Sequence, residues 1–112
     1  MTDARFAVPD ESAPREMKRL REAIDRVDEV LVRLLNQRAK YAIEVGQIKG
    51  QLSLPIYSPD REKEVLSNAE RWSEGPLAGA AVRRLFERII DESRRVEREA
   101  SSDERQESSW SS

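Results

Sequence analysis

Hydrophobic and polar positions follow a helical spacing over residues 17–49. Steps that alternate between three and four residues give an apolar seam, which is interrupted once, by Arg38. Ser12 and Pro14 predict the start of this helix, because serine caps free backbone N–H groups and proline is tolerated in the first turn. We expect one long helix that ends near Gly50. The apolar members of the seam are Met17, Leu20, Ile24, Val27, Leu31, Leu34, Tyr41, Val45 and Ile48.

Two further helices are predicted after a loop over residues 50–57. Ser58 and Pro59 have the pattern of an N-cap and a first helical residue, and the short helix they begin stops near Gly75. Pro76 then opens a third helix of medium length. No stretch has a strand period, so the predicted fold class is all-α, with a long, a short and a medium helix per chain. The apolar face of the third helix consists of Leu77, Ala81, Val82, Leu85, Phe86, Ile89 and Ile90.

The predicted helical domain covers residues 13–100. Residues 1–12 are polar and without a period, which is typical of a flexible leader, and the serine-rich, charged residues 101–112 are typical of a disordered tail. A chain of 112 residues builds only a thin core. Because the long seam needs more cover than the two shorter helices provide, we expect three helices per chain to form an intertwined helical homodimer.

The composition excludes several kinds of chemistry. The chain has no cysteine and no histidine, which rules out disulfides, Ser-His-Asp triads and zinc sites with Cys or His ligands. We expect neither a metal nor a cofactor. The net charge is −2, with acidic and basic residues interleaved, so no basic face for nucleic acid is predicted. No apolar run has signal-peptide or membrane-span length, which favours a cytoplasmic protein that does not bind membranes.

Three cations on the long helix are candidate site residues. Arg38 lies on the seam, and burying an unpaired guanidinium is costly, so it needs an anion. Lys49 lies eleven residues later, within about 20° of the same face and roughly 16 Å along the axis. Arg21 lies about 100° round the helix, where it could serve the site of a partner chain. Alternatively, Arg38 forms an interhelical salt bridge and Lys49 complements the helix dipole.

Polar residues also extend the apolar face of the third helix and open the second. Ser93 and Glu97 are spaced i and i+4, so both point inward. Arg61 and Glu62 lie just inside the second helix. Alternatively, Ser93 is a small packing residue and Glu97 a fraying helix end. Their convergence with the cations favours a binding site for a small anion.

Three segments of the chain resemble the all-helical class of chorismate mutases in content, order and spacing. The resemblance covers about residues 17–97, and its segments are LREAIDRVDEVLVRLLNQRAKYAIEVGQIK, SPDREKEVL and LFERIIDESRRVE. The resemblance implies an intertwined dimer that rearranges chorismate to prephenate in phenylalanine and tyrosine biosynthesis. It also implies that each site borrows an arginine from the other chain.

The resemblance assigns a role to each candidate residue. It implies that Arg38 and the partner's Arg21 hold the two substrate carboxylates, and that Lys49 hydrogen-bonds the ether oxygen. It further implies that Glu62, with Arg61 beside it, accepts a hydrogen bond from the ring hydroxyl. Ser93 would help to position a substrate carboxylate.

Two positions depart from the family pattern. Bacterial members commonly have glutamine where this chain has Glu97, and an ionised carboxylate would repel the charge developing on the ether oxygen. Glu97 therefore has to be protonated to donate, and we expect activity to rise as pH falls below neutral. Ser58 stands where some relatives carry an acidic residue near the hydroxyl-binding group. We interpret Ser58 as the cap of the second helix and also count it among the candidate substrate-binding residues.

Other functions remain open from the sequence. An isochorismate pyruvate lyase or an aminodeoxychorismate mutase on the same fold would bind similar dianions. A non-catalytic helical dimerisation or regulatory module belongs to a different class, and retention of the cationic positions argues against it. A complex with another enzyme of aromatic biosynthesis is a further possible partnership.

Overall fold

Three helices make up the described part of the chain. The computed structural model describes residues 11–110, with side chains for residues 11–103. The helices are α1 (Ser12–Leu52), α2 (Pro59–Trp72) and α3 (Gly79–Trp110), and residues 11–110 contain no strand. This confirms the all-α prediction and the order of the helices. The chain divides into two compact units, the N-terminal unit Met1–Asn36 and the C-terminal unit Gln37–Ser112.

The N-terminal unit carries an apolar seam that is open to solvent in a single chain. Its polar residues include an ion pair between Arg15, in the first turn of α1, and Glu11, which precedes the helix, 3.3 Å apart. The apolar side chains along the seam are between 48% and 60% exposed. Solvation of such a stripe is unfavourable, because burial of apolar area is the main stabilising force in folding. The side chains concerned are Met17, Leu20, Ile24, Val27, Leu31 and Leu34.

The C-terminal unit packs the last part of α1 against α3 at very short range. Gly46 is buried, and a Cβ added to it would lie 2.7 Å from Glu97 Cα and 2.9 Å from its carbonyl carbon. Only glycine allows this approach of the two backbones. The interior has few large side chains: among the side chains that the structure describes in this unit, the buried apolar ones are Ala42, Ala69, Ile90 and Ala100.

The start of α2 differs in one respect from the sequence prediction. Ser58 occupies the N-cap position and Pro59 follows it at the first helical position, but the Ser58 side chain makes no capping hydrogen bond. The capping role is therefore wrong. The Ser58 carbonyl accepts the Glu62 N–H at 3.0 Å, and Asp60 and Glu62 place negative charge in the first turn, where it interacts favourably with the helix dipole.

The loop between α2 and α3 is longer than predicted, because α3 begins at Gly79 and not at Pro76. The Ser73 hydroxyl donates to the Leu77 carbonyl at 2.7 Å, which holds residues 73–77 as a turn. The first carbonyl to accept helical N–H groups is that of Ala78. Trp72 is 66% exposed at the end of α2.

The far end of α3 also differs from the sequence prediction. The helix continues to Trp110, so residues 101–110 are helical where a disordered tail was predicted. No glycine or proline follows Gly79, and each residue added to an existing helix gains a backbone hydrogen bond at low cost. The predicted leader lies outside the described residues up to position 10, and Ser12 already belongs to α1. None of the helices described is both long and apolar enough to cross a membrane.

Candidate active site

A cavity of about 420 Å³ lies within the C-terminal unit, between the end of α1, α2 and the middle of α3. Its wall carries four cationic side chains and two carboxylates, a formal excess of two positive charges. Apolar residues complete it, which lowers the local dielectric and strengthens each charge interaction. The charged lining residues are Arg38, Lys49, Arg61, Arg94, Glu62 and Glu97.

Arg38 is a half-buried cation in this wall. Its Nη1 donates to the Ser93 hydroxyl, which in turn donates to the Ile89 carbonyl at 3.0 Å. Burial lowers the pKa of Arg38, with a further lowering by Arg61 that Glu97 opposes. No carboxylate among the described side chains lies within ion-pairing distance of Arg38, so its charge is open to an anionic ligand.

Lys49 and Glu97 form an ion pair across the crossing of α1 and α3. Lys49 Nζ donates to Glu97 Oε2 at 3.3 Å and to the Ile56 carbonyl at 2.9 Å, and the two charged side chains are 17% and 16% exposed. An ammonium group has three N–H donors. In the described part of the chain two of them are occupied, which leaves one for a ligand in the cavity.

Glu62 is held from α3 by an arginine that pattern analysis of the sequence did not single out. Arg94 Nε lies 2.8 Å from Glu62 Oε2, and Nη2 lies 2.9 Å from Oε1, so both carboxylate oxygens accept hydrogen bonds. The same guanidinium lies over the Tyr57 ring, 5.6 Å from its centroid. Arg61 is more exposed and pairs with Glu64 at 2.5 Å.

Seven of the eight predicted site residues line this one cavity. Arg21 lies in the N-terminal unit and is not among the lining residues. Arg94 was missed, although it precedes Glu97 by three positions and so lies on the same side of α3. That spacing was the available signal. The seven residues brought together are Arg38, Lys49, Ser58, Arg61, Glu62, Ser93 and Glu97.

The donor set of the cavity suits recognition of a small organic dianion. The described side chains include no group of three His, Cys, Asp or Glu residues placed to hold a metal ion. The cations can bind two carboxylates, and the carboxylates can accept from a hydroxyl group. Fold and site together define a helical protein with a cationic pocket for a small ligand.

Comparison with known proteins identifies the family. The sequence profile of "Chorismate mutase type II" matches residues 20–98, and the chain belongs to this family. The bifunctional chorismate mutase/prephenate dehydratase of Aquifex aeolicus is 45% identical over 64 residues, which cover 57% of this chain and 18% of that protein. The protein of the same name from Neisseria gonorrhoeae is 41% identical over 78 residues, 70% of this chain and 21% of its own length. The chain thus spans about a fifth of these relatives.

Solved structures are similar over most of their own length. Chorismate mutase (Form II) from Thermus thermophilus superposes with a TM-score of 0.71 at 34% identity, covering 73% of this chain and 93% of that one. Chorismate mutase from Helicobacter pylori in complex with prephenate gives a TM-score of 0.68 at 30% identity, covering 75% and 91%. These similarities confirm the family resemblance and the helical fold that were inferred from the sequence.

Proposed function

We propose that this domain is an isomerase that converts chorismate to prephenate by an intramolecular rearrangement, within phenylalanine and tyrosine biosynthesis. The observation that carries the proposal is Arg38, a half-buried cation in a cavity wall whose charge no described carboxylate pairs. Chorismate is a dianion, and the cavity has a formal excess of two positive charges.

The substrate groups match the side chains in type. One carboxylate would pair with Arg38, with Ser93 beside it, and the other with Arg21 of the partner subunit. The ether oxygen would lie between Lys49 and Glu97. These contacts use the unpaired charge of Arg38 and the remaining N–H of Lys49.

The opposite end of the substrate would meet the first turn of α2. Its ring hydroxyl would donate to Glu62, which Arg94 leaves with a free lone pair on each oxygen. Arg61 and Ser58 also line this end of the cavity, and either could contact the hydroxyl or its water shell.

The reaction asks little of the protein beyond binding. The ether C–O bond breaks as a C–C bond forms, with no proton transfer, nucleophile or metal. Holding the flexible dianion in its reactive conformer lowers the barrier, because the internal rotations that separate the two reacting carbon atoms are then already restricted. Lys49 adds electrostatic stabilisation where negative charge develops on the ether oxygen, an effect worth roughly 3–4 kcal/mol per well-placed donor.

The proposal includes a homodimer. The exposed seam of the N-terminal unit, with side chains 48–60% exposed, would be covered by a second copy, and Arg21 lies on the same unit. Arg21→Ala and Arg38→Ala should each be inactive alone. If sites are shared between chains, random mixed dimers of the two variants contain one intact site in each heterodimer and recover about a quarter of wild-type activity. Absence of any recovery in co-expressed, co-purified heterodimers would contradict shared sites.

The direct test of the activity uses purified protein with chorismate and, separately, isochorismate. We expect prephenate from chorismate, and neither salicylate nor pyruvate from isochorismate. Failure of the wild type to consume chorismate, or undiminished turnover by Arg38→Ala, would overturn the proposal. Action in the cytoplasm and docking of another aromatic-biosynthesis enzyme onto this domain stay predictions.

A further inference from the structure

Arg94 and Glu62 form the most complete side-chain pairing in the cavity wall. The two hydrogen bonds, at 2.8 and 2.9 Å, run in parallel from one guanidinium edge to both oxygens of one carboxylate. Such two-point pairing fixes the relative orientation of the two groups and also strengthens their interaction. The pair joins α3 to the first turn of α2, and its side chains are only 31% and 20% exposed.

Arg94 is itself held in place by groups outside the pair. Its guanidinium lies over the Tyr57 ring at 5.6 Å, and Asp91 Oδ1 lies 3.4 Å from Nη2. The hydrogen bonds that Arg94 donates to Glu62 are the main cause of the raised pKa of Arg94; burial opposes this rise, and the charges of Glu62 and Asp91 add to it. The guanidinium is therefore a fixed element against which the Glu62 carboxylate is oriented.

We infer that Arg94 is a positioning and specificity-determining residue, which orients the Glu62 carboxylate toward the cavity and balances its charge so that a neutral ring hydroxyl is preferred to a ring ammonium. This inference rests on the proposed function, because it assumes that Glu62 receives the ring substituent.

The charge argument distinguishes two otherwise similar ligands. A hydroxyl group needs only an oriented acceptor, and Glu62 still offers one lone pair on each oxygen. An aliphatic amine at the same ring position is protonated near neutral pH. Its ammonium would approach a carboxylate that already has a cation at 2.8 Å, with Arg61 also in the wall. Repulsion from these guanidinium groups offsets much of the attraction to Glu62.

The test measures kcat and KM for chorismate and for its ring-amino analogue with the wild type, Arg94→Met and Arg94→Lys. Loss of a hydrogen-bonded charge pair corresponds to roughly a tenfold change. We expect Arg94→Met to lower kcat/KM for chorismate about tenfold. The ratio of kcat/KM for chorismate to kcat/KM for the amino analogue should fall by at least that factor. Arg94→Lys keeps the charge but loses the two-point geometry, so it should retain most of the preference at a reduced rate.

Two further variants separate this role from a general structural one. Arg95→Met is the matched control: Arg95 is the next residue on α3, is 57% exposed, and pairs at 3.0 Å with Glu92 and Glu99. This variant should leave kcat and KM unchanged for both substrates. In a Glu62→Gln background, Arg94→Met should no longer lower kcat/KM for chorismate tenfold, because no carboxylate is left to be oriented. Melting curves establish that each variant is folded.

The outcomes are distinguishable. If the wild type converts chorismate but Arg94→Met lowers kcat/KM for both substrates by the same factor, or for neither, the inference fails while the proposed function stands. A wild type without chorismate turnover would overturn both. A tenfold loss of kcat/KM for chorismate on Arg94→Met that persists in the Glu62→Gln background would also contradict the inference, since Arg94 would then act without Glu62.

Discussion

The crossing of α1 and α3 allows a sharp prediction about Gly46. An alanine Cβ at this position would lie 2.7 Å from Glu97 Cα, whereas nonbonded carbons need about 3.5 Å, so the helices have to part by close to 1 Å. The opposing atoms, Glu97 Cα and the Glu97 carbonyl carbon, belong to the backbone and cannot rotate away. Overpacking of this kind costs up to ~3 kcal/mol, and the better helix propensity of alanine returns about 1 kcal/mol. We expect Gly46→Ala to lose ~2 kcal/mol of folding free energy.

The same displacement acts on the site, because Glu97 moves away from Lys49. A misplacement of about 1 Å can cost a factor of ~100 in rate. A domain of this size loses roughly 4–8 °C of Tm per kcal/mol, so melting at fixed protein concentration should show a fall of about 8–16 °C. Chorismate depletion assays should show the loss in kcat more than in KM.

Gly79→Ala is the matched control for this substitution. A Cβ at Gly79 would meet the Glu70 carbonyl oxygen at 3.4 Å, an ordinary contact, so the substitution should leave Tm and activity near wild type. If Gly46→Ala melts with the wild type and retains its kcat, the close approach of the two backbones does not hold in solution. Equal destabilisation of the two alanine variants would refute the reasoning as well.

Three other substitutions test single contacts. Glu97→Gln replaces the carboxylate that pairs with Lys49 at 3.3 Å by an amide that can donate to the ether oxygen, and it should raise kcat/KM for chorismate at neutral pH; a value at or below that of the wild type would contradict the hypothesis that a carboxylate at this position opposes the charge on the ether oxygen. Ser93→Ala removes the hydroxyl that accepts from Arg38 and should lower kcat/KM roughly tenfold with little change in Tm, whereas unchanged kinetics would mean that Arg38 needs no such partner. Arg83→Met breaks the pair with Glu70, 3.1 Å apart and 41% and 39% exposed, and should cost under ~1 kcal/mol in urea unfolding without altering KM; a change in KM would contradict a purely surface role.

Helical periodicity predicted the parts of the site that depend on which face of a helix a residue occupies. The break in the seam located Arg38, and the eleven-residue spacing located Lys49 on the same face. Both line the cavity of the C-terminal unit. These positions follow from 3.6 residues per turn and need no knowledge of the neighbouring helices.

What periodicity could not predict are the partners of long side chains. Arg94 looked like one of several charged residues on α3, and its two hydrogen bonds to Glu62 depend on the α2–α3 packing. The hydroxyl of Ser58 was assigned to a helix cap because the local sequence fits one, but the cap is not formed and the residue lines the cavity. Local patterns rank such alternatives without deciding between them.

The charge balance of the cavity also bears on how the proposed reaction cycle would end. Chorismate and prephenate carry the same two carboxylates, so a wall with an excess of two positive charges attracts product as well as substrate. In the proposed binding mode, substrate and product differ at the position of the ether oxygen, beside Lys49 and Glu97, and at the ring. Release of the product would then depend on a few contacts at one end of the cavity. Accumulated product would inhibit the reaction, because it would bind to the same cationic side chains as the substrate.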